Sequence, residues 1–236
     1  MALRFLFLLL LASTGAANEA VKNCDPVALS PTQVCPLQPG TTVPDVSFRT
    51  FDGEKKNLPE LVKGKNTVLV FYRGGWCPYC DRQLHQLQDL EPKLKTLGYQ
   101  VIAISPDKPE KVRGSIKSQY LTFLLLSDSK MEGSKAFGIA YKLDEPSLKG
   151  LEAMAINLEN SSGEKHSMLP VPTTFLVNEQ GTIQFTYSDP DYKNRISSEM
   201  LLSKIQKLQK KKLASEGTAG PQKMPTSSGR SAQPSL

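Results

Sequence analysis

The 236-residue sequence is poor in the residue types on which several protein classes depend. It has four cysteines, two histidines and one tryptophan. Four cysteines are too few for a disulfide-dense mini-scaffold. His85 and His166 stand alone, and a single Cys-x-x-Cys pair does not complete the donor set of a zinc site, so we expect no metal ion. The ordinary content of 39% hydrophobic and 22% charged residues excludes collagenous and fully disordered proteins.

Most of the chain lacks an excess of charge of either sign. The formal net charge is +6, but residues 204–236 hold seven cations against one anion, and residues 18–203 sum to −1. A basic surface is the usual electrostatic signature of nucleic-acid binding. We therefore expect the folded part not to bind nucleic acid, and we expect the lysines at the end of the last helix to be solvated.

The amino terminus is typical of a secretory signal peptide. Arg4 precedes the apolar run Phe5–Ala12, and small residues follow up to Ala17. The run is much shorter than the ~20 apolar residues that span a bilayer, so no stable membrane insertion is expected. Because the last residues do not form a Lys-Asp-Glu-Leu type of retrieval signal, the prediction is a secreted protein or one in the secretory lumen. Asn160, in Asn-Ser-Ser, is then a candidate glycosylation acceptor.

The remaining chain divides into three zones. Residues 18–43 form a leader that contains Cys24 and Cys35, residues 44–208 form the predicted domain, and residues 209–236 form a basic tail predicted to be disordered. In the domain, buried-strand patterns alternate with helical ones. The strands are predicted at Asp45–Phe51, Thr67–Tyr72, Val101–Ser105, Thr122–Leu126, Thr173–Val177 and Thr182–Tyr187, the last two as a hairpin.

Helical periodicity fills the segments between these strands. A leucine stripe predicts a helix that starts near Cys80 and ends at Gly98, with Pro92 expected to kink or divide it. Three further helices are predicted at Glu110–Tyr120, Met131–Phe137 and Ser197–Lys212, and Leu143–Met168 is predicted to be an insertion, either a lid or an interface. This order predicts one α/β domain with a central mixed β-sheet and helices on both faces.

The residues that carry redox chemistry lie in one decapeptide, Phe71–Cys80. Cys77 and Cys80 are separated by two residues at a helix start, where the unpaired N–H groups and the macrodipole favour a thiolate. A free cysteine has a pKa of about 8.5, and such surroundings lower it. Arg73 can add a positive charge, and the following two glycines allow close approach of a substrate. The pattern predicts a redox-active pair rather than an inert disulfide.

The segment Trp76-Cys77-Pro78-Tyr79-Cys80 resembles the thioredoxin-fold active site, and the longer Phe71–Cys80 string is similar to the peroxiredoxin-like branch of the AhpC/TSA (redoxin) family. The resemblance extends over residues 44–208, through the segments 45–53, 101–107, 169–177 and 189–192 with Arg195. It implies a thioredoxin-like fold, an antioxidant thiol oxidoreductase activity, and no metal or organic cofactor. It also implies that Pro172 is a cis-proline whose loop faces the cysteines, a bond type found at only about 5–6% of X–Pro sites.

The chain departs from the peroxiredoxin pattern at three positions. Aligned on Cys80, it has Cys77 in place of a threonine and Arg73 in place of a proline, and Pro172 stands where peroxiredoxins have an arginine. These departures weaken the prediction of efficient peroxide reduction and leave that of dithiol–disulfide exchange intact. The thioredoxin analogy names Cys77 as the attacking sulfur and the peroxiredoxin alignment names Cys80, and the sequence leaves both open.

Four further residues have candidate roles. Cys24 and Cys35 are expected to form a structural disulfide, worth roughly 3 kcal/mol for a loop of about a dozen residues; a relay of oxidation from the Cys-x-x-Cys pair is the less favoured role. Trp76 is expected to dock substrate or to cap the pair. His85 is expected to be a solvated surface residue.

Two function hypotheses result. The first is an enzyme that cycles Cys77 and Cys80 between dithiol and disulfide, with a hydroperoxide or a protein disulfide as substrate and an external thiol as reductant. The second is a secreted, non-catalytic binding module with a static Cys77–Cys80 bridge and a basic tail for acidic partners. The oligomeric state is open in both.

Overall fold

A computed structural model describes residues 24–217 of the chain. The predicted signal peptide, residues 1–17, lies outside the described residues. The strands are β1 (Val27–Ala28), β2 (Ser47–Arg49), β3 (Lys55–Asn57), β4 (Asn66–Phe71), β5 (Tyr99–Ser105), β6 (Leu124–Ser127), β7 (Ala140–Lys142), β8 (Met168–Pro170), β9 (Thr173–Val177) and β10 (Ile183–Ser188). The helices are α1 (Leu58–Val62), α2 (Pro78–Thr96), α3 (Pro109–Gln119), α4 (Glu132–Ala136), α5 (Glu145–Ala153), α6 (Leu158–Ser162) and α7 (Ser198–Gly217).

The main sheet has seven strands in the order β10-β9-β4-β5-β6-β2-β3. Its three central strands, β4, β5 and β6, are parallel, and the strands on either side of them are antiparallel. This is the mixed sheet that the sequence predicts. The antiparallel pair β9 and β10 is the predicted hairpin, with β9 paired to β4 so that Thr173 lies opposite Phe71. The carboxyl end of β4 therefore lies among the inner strands of the sheet, between β9 and β5.

Each face of the sheet has its own apolar core. Side chains alternate along a strand, so Val68 and Val70 contact one core while Leu69 and Phe71 contact the other. Residues of α2, α3 and α7 complete the first core, and residues of α1 together with Phe137 complete the second. The prediction of helices on both faces is confirmed.

The part of the leader that the structure describes is packed against the domain. Strand β1 pairs in parallel with β7, which also pairs with β8 to make a small second sheet. The Cys35 N–H donates to the Gly138 carbonyl at 2.9 Å, and Val43 is buried in the second core. A side chain at position 138 would collide with the Cys35 carbonyl, and Gly138 also has a φ of +67°, so glycine is required there.

Helix α2 is continuous through Pro92, so of the two predicted effects, a kink or a division, the division is wrong and the kink stays a prediction. A proline inside a helix removes one backbone hydrogen bond. The buried leucines 84, 87 and 94 lie on both sides of Pro92 and pack on the sheet along the whole helix. That apolar packing outweighs the lost bond. Gly98, with a φ of +77°, follows the end of the helix as predicted.

The ends of two other segments differ from their predictions. Helix α7 runs to Gly217, past position 209 where the disordered tail was expected to begin, and residues 218–236 lie outside the described part. The predicted insertion, 143–168, contains α5 and α6 and ends in β8. Within residues 24–217, none of the helices combines the length and the apolar character that crossing a membrane would require.

Candidate functional site

The Cys-x-x-Cys pair lies at the junction of β4 and α2. Cys77 is the N-cap residue of α2, and Pro78 occupies the first helical position, where its missing N–H costs nothing. The Cys80 and Asp81 N–H groups both donate to the Cys77 carbonyl, at 2.9 and 3.0 Å. Both sulfurs are in free thiols, and the two residues are at most 1% exposed. The helix start therefore holds a reduced, enclosed dithiol.

The two thiols ionise at very different pH. A hydrogen bond from the Cys80 thiol lowers the pKa of Cys77 to about 6, against the opposing effect of burial. The Cys80 N–H, the Arg73 charge and the Tyr79 N–H contribute further to this lowering. Burial raises the pKa of Cys80 well above its ordinary value, and its hydrogen bond to Cys77 and the charge of Cys77 add to the rise. At neutral pH the pair thus carries its charge mainly on Cys77.

Arg73 lies beside Cys77, as the sequence predicts. Its Nη1 atom is 3.9 Å from the Cys77 sulfur. The guanidinium lies 5.0 Å from the ring centre of Trp76 and 4.0 Å from that of Tyr192, and the residue is 7% exposed. Aromatic faces attract a cation most strongly when water is excluded. The two rings therefore keep the charge of Arg73 close to the sulfur.

A second arginine lies beside the second sulfur. The Nη2 atom of Arg195 is 3.6 Å from the Cys80 sulfur, and its Nε donates to Gln83 Oε1 at 2.9 Å. Its Nη1 donates to the carbonyls of Asn194, at 2.8 Å, and of Tyr192. In the sequence Arg195 belongs only to the segment that carries the family resemblance. No spacing pattern connects it with Cys80, which lies 115 residues earlier in the chain.

A buried acid, Asp107, holds the loop that precedes Cys77. Its Oδ2 accepts the Gly75 N–H at 2.8 Å and the Ser105 hydroxyl at 3.2 Å. Burial raises the pKa of Asp107 to about 6, although the hydrogen bonds from Gly75 and Ser105 oppose the rise. The sequence contains Asp107 in the resembling segment 101–107 but gives no sign of this contact. We assign it to the support of the loop.

Trp76 forms one wall beside the pair. It packs against the cluster formed by Leu143, Leu151 and Leu169, to which the insertion helices contribute, and also touches the core under Cys77. A cavity of about 260 Å³ opens on another side of the loop, lined by Gly75, Trp76, Asp107 and residues of α3. Trp76 therefore lies between the insertion and an open cleft, which suits either of its predicted roles.

Pro172 lies between β8 and β9 at the same sheet edge as the dithiol, because the next residue, Thr173, pairs with Phe71. The expectation that it is a cis-proline is wrong: residues 24–217 contain no cis peptide bond. The trans form of an X–Pro bond is intrinsically favoured by about 0.5–1 kcal/mol. Here the Val171 N–H donates to the Ile139 carbonyl at 2.8 Å, which fixes the chain just before the proline.

The other predicted site residues lie elsewhere. Cys24 and Cys35 form a disulfide with a Cα–Cα distance of 6.0 Å, the pairing that the sequence favours. The contacts described for this disulfide do not join it to Cys77 or Cys80. Asn160 is exposed on α6. His85 is exposed on α2, with its Nδ1 2.9 Å from the Asp81 carbonyl, as expected of a surface histidine.

Comparison with known proteins identifies similar chains. Residues 39–186 match the AhpC/TSA family. The chain is 36% identical over 104 residues to peroxiredoxin Bcp of Escherichia coli, covering 44% of this chain and 66% of that protein. It therefore spans just under two thirds of that curated relative. It is 27% identical over 148 residues to the thiol-disulfide oxidoreductase ResA of Bacillus cereus, covering 62% of this chain and 68% of that protein.

A solved structure has the same fold. The crystal structure of peroxidoxin BcpB from Mycobacterium tuberculosis superimposes with a TM-score of 0.57 at 19% identity, over 73% of this chain and 98% of that one. At this identity the likeness concerns the fold alone. The predicted thioredoxin-like fold is confirmed.

Proposed function

This chain belongs to the AhpC/TSA family, and from that premise we propose that it is a thiol-dependent oxidoreductase that works by dithiol–disulfide exchange. Cys77 is the attacking sulfur and Cys80 the resolving one. The observation that carries the proposal is the position of Cys77, which is the N-cap residue of α2 and has the Arg73 Nη1 atom 3.9 Å from its sulfur. These surroundings lower the pKa of Cys77, whereas burial raises that of Cys80. The thiolate is the nucleophile in exchange, so at neutral pH the attack belongs to Cys77.

The reaction proceeds in two exchanges. The Cys77 thiolate attacks one sulfur of a substrate disulfide, and the other substrate sulfur leaves as a thiolate. Cys80 then attacks the Cys77 sulfur of this mixed disulfide, which releases the second substrate thiol and leaves a Cys77–Cys80 disulfide. An external thiol returns the pair to the dithiol. A protein disulfide is the substrate class we favour, and the printed description of ResA as a thiol-disulfide oxidoreductase supports it.

The surroundings of the pair weigh against the alternative of a non-catalytic binding module. That alternative requires a permanent Cys77–Cys80 bridge. It also gives no reason for the lowered pKa of Cys77 or for the buried Arg73 beside its sulfur.

Stopped-flow fluorescence of Trp76, the sole tryptophan, tests the proposal. The reduced full chain is mixed with a disulfide substrate, in parallel with its Cys77→Ser and Cys80→Ser variants. We expect no reaction of Cys77→Ser and a trapped mixed disulfide in Cys80→Ser, which mass spectrometry identifies. Exchange that persists in Cys77→Ser and is lost in Cys80→Ser would reverse the assignment, and an unreactive wild type would favour the binding module.

Reduction of hydroperoxides is a second candidate function. It is favoured by the Arg195 guanidinium beside Cys80, the sulfur that the peroxiredoxin alignment names as the attacking one. In that reaction a thiolate attacks the O–O bond, an alcohol or water leaves, and the resulting sulfenic acid condenses with the other thiol and releases water. The same variants mixed with hydrogen peroxide decide: fast oxidation that survives only in Cys77→Ser would make Cys80 peroxidatic.

We also propose that the protein enters the secretory pathway. The signal-like residues 1–17, the Cys24–Cys35 disulfide and the exposed position of Asn160 support this, because structural disulfides persist in oxidising compartments. Expression of the full chain in a secreting cell line checks it. We expect product in the medium that lacks the first 17 residues, and a glycosidase-sensitive mass that disappears in Asn160→Gln. Retention of the intact chain inside the cells would refute the proposal.

A further inference from the structure

Each of the two sulfurs of the site has one arginine side chain beside it. The Arg73 guanidinium is 3.9 Å from Cys77, and the Arg195 guanidinium is 3.6 Å from Cys80. They come from different parts of the fold, since Arg73 follows β4 while Arg195 lies just before α7. Arg195 is also fixed on its remaining sides, by Gln83 and by the carbonyls of Tyr192 and Asn194. One guanidinium edge is therefore held towards Cys80.

The surroundings of Cys80 change once Cys77 has reacted. In the free dithiol, burial, the hydrogen bond that Cys80 gives to Cys77, and the negative charge of Cys77 all oppose ionisation of Cys80. A mixed disulfide at Cys77 has neither the thiolate charge nor a strong acceptor. Two of the three opposing effects are then removed, while the charge of Arg195 and the Arg73 backbone N–H, which both favour ionisation, remain.

Among the described residues, the Arg73 guanidinium lies against Cys77, and Arg195 is the cation whose guanidinium contacts Cys80. Tyr72, the residue after β4, interacts with Cys80, but burial raises the pKa of its hydroxyl above the ordinary value, so it stays neutral. The charges of Asp81 and Asp107 also act on Tyr72. The pKa of each of these two carboxyls is raised by burial. Within the described part of the chain, Arg195 is therefore the cationic side chain placed on Cys80.

We propose that Arg195 is a catalytic residue of the resolving step, where it stabilises the Cys80 thiolate after Cys77 has been captured in a mixed disulfide. The inference rests on the proposed function. The Cys80 thiolate attacks the Cys77 sulfur, the bond from Cys77 to the substrate sulfur breaks, and the substrate leaves as a thiolate that takes up the proton given up by Cys80. The Cys77–Cys80 disulfide keeps the oxidation, and no further co-reactant is consumed. Arg73 thus serves the first attack and Arg195 the second.

A titration tests the charge effect without any turnover. In Cys77→Ser, with the Cys24–Cys35 bridge intact, Cys80 is the free thiol, and its thiolate is followed by ultraviolet absorbance. The Cys77→Ser/Cys80→Ser chain serves as the blank for tyrosine ionisation. We expect Arg195→Met to move the Cys80 titration to higher pH and Arg195→Lys to move it less. Arg82→Met is the matched control, because the Arg82 guanidinium lies over Tyr79, 5.8 Å from the ring centre, without a sulfur contact.

Single-turnover kinetics separate the two steps in chains that keep both active-site cysteines. Arg195→Met should form the mixed disulfide at the wild-type rate and resolve it about tenfold more slowly, the size of effect that a charge-assisted hydrogen bond supplies. The deficit should shrink as the pH rises. Equal slowing of both steps would indicate a merely structural role and overturn the inference, as would an unmoved Cys80 titration. Failure of any mixed disulfide to form at Cys77 would refute the proposed function instead, and the titration would still show separately whether Arg195 stabilises the Cys80 thiolate.

Discussion

At the scale of single residues, the chemistry depends on charge placed around two enclosed sulfurs. Cys77 is an N-cap residue that receives N–H groups from its own helix and a guanidinium from Arg73. Trp76 and Tyr192 hold that guanidinium between their rings. The hydrogen bonds from Cys80 and the helix start thus contribute most to stabilising the Cys77 thiolate, and the charge of Arg73 contributes less.

The pH dependence of the first attack follows from this order of causes. Because the pKa of Cys77 is lowered to about 6, the rate of exchange should rise with pH around a midpoint near 6 and level off above about pH 7. Arg73→Met removes one stabilising charge, so its rise should lie at higher pH. The pH profile is measured in the wild-type dithiol, because Cys80 itself contributes to the lowered pKa of Cys77 and its replacement by serine would change that pKa. Arg113→Met is the charge-matched control. A wild-type rate that still climbs steeply between pH 7 and pH 9 would contradict the prediction.

How much of the site the sequence predicts depends on distance along the chain. Arg73, Trp76, Cys77 and Cys80 lie within one decapeptide, so a strand followed by a helix start is enough to bring them together. Arg195 and Asp107 reach the same place only through the pairing of strands and the return of the chain before α7. No local period encodes those contacts. The sequence places Arg195 and Asp107 in segments that resemble the family, but it does not predict which residues they contact.

At the scale of elements, the loop between β4 and α2 is fitted closely against α3. The Gly75 N–H is held by Asp107, and a side chain at position 75 would collide with the Ser115 hydroxyl. The same would-be Cβ lies 3.4 Å from the Ser115 Cβ, which is a tight but bearable contact. The hydroxyl oxygen of Ser115 on α3 is thus the atom that excludes a side chain at position 75.

Substitutions at these two positions should therefore be coupled. Gly75→Ala should lower the free energy of unfolding by about 1–3 kcal/mol, the usual cost of overpacking. Adding Ser115→Ala should recover most of that loss, because it removes the colliding oxygen. Urea unfolding of both single variants and the double variant measures the coupling. Strictly additive effects would show that the collision is relieved elsewhere.

The element boundaries also show where local sequence signals fail. Alternation and β-branched runs correctly predicted the central strands, because those strands are buried on both faces. Short elements such as β3, β7 and β8 were missed, since three residues are too few for a period to be detected. At Pro92 the local rule was outweighed by packing that extends over the whole of α2.

At the scale of the whole molecule, the described part of the leader packs along the surface of the domain. The Cys24–Cys35 disulfide closes a short loop at its start, and the following residues bind to the Phe137–Gly138 turn, while β1 binds to β7. Composition indicated a separate zone because the leader is rich in proline and small polar residues. Its contacts with the domain could not be inferred from that composition.

Removal of the bridge should cost stability and not activity. The Cys24→Ser/Cys35→Ser chain should lose up to about 3 kcal/mol of unfolding free energy, as expected when a short loop is released in the unfolded state. Denaturant unfolding measures the loss. Exchange at Cys77, followed by Trp76 fluorescence, should keep its wild-type rate. A folded double variant that has lost turnover would instead support a relay of oxidation to the leader.

The enclosure of the dithiol has a consequence for its durability. A thiolate that persists throughout the physiological pH range is ordinarily the first sulfur to be driven to sulfinic and sulfonic acids, from which cells rarely recover it. Susceptibility to that damage grows with exposure as well as with charge. Cys77 is 1% exposed and Cys80 is fully buried. The burial that limits the access of solvent to the pair therefore also protects the Cys77 thiolate from irreversible oxidation.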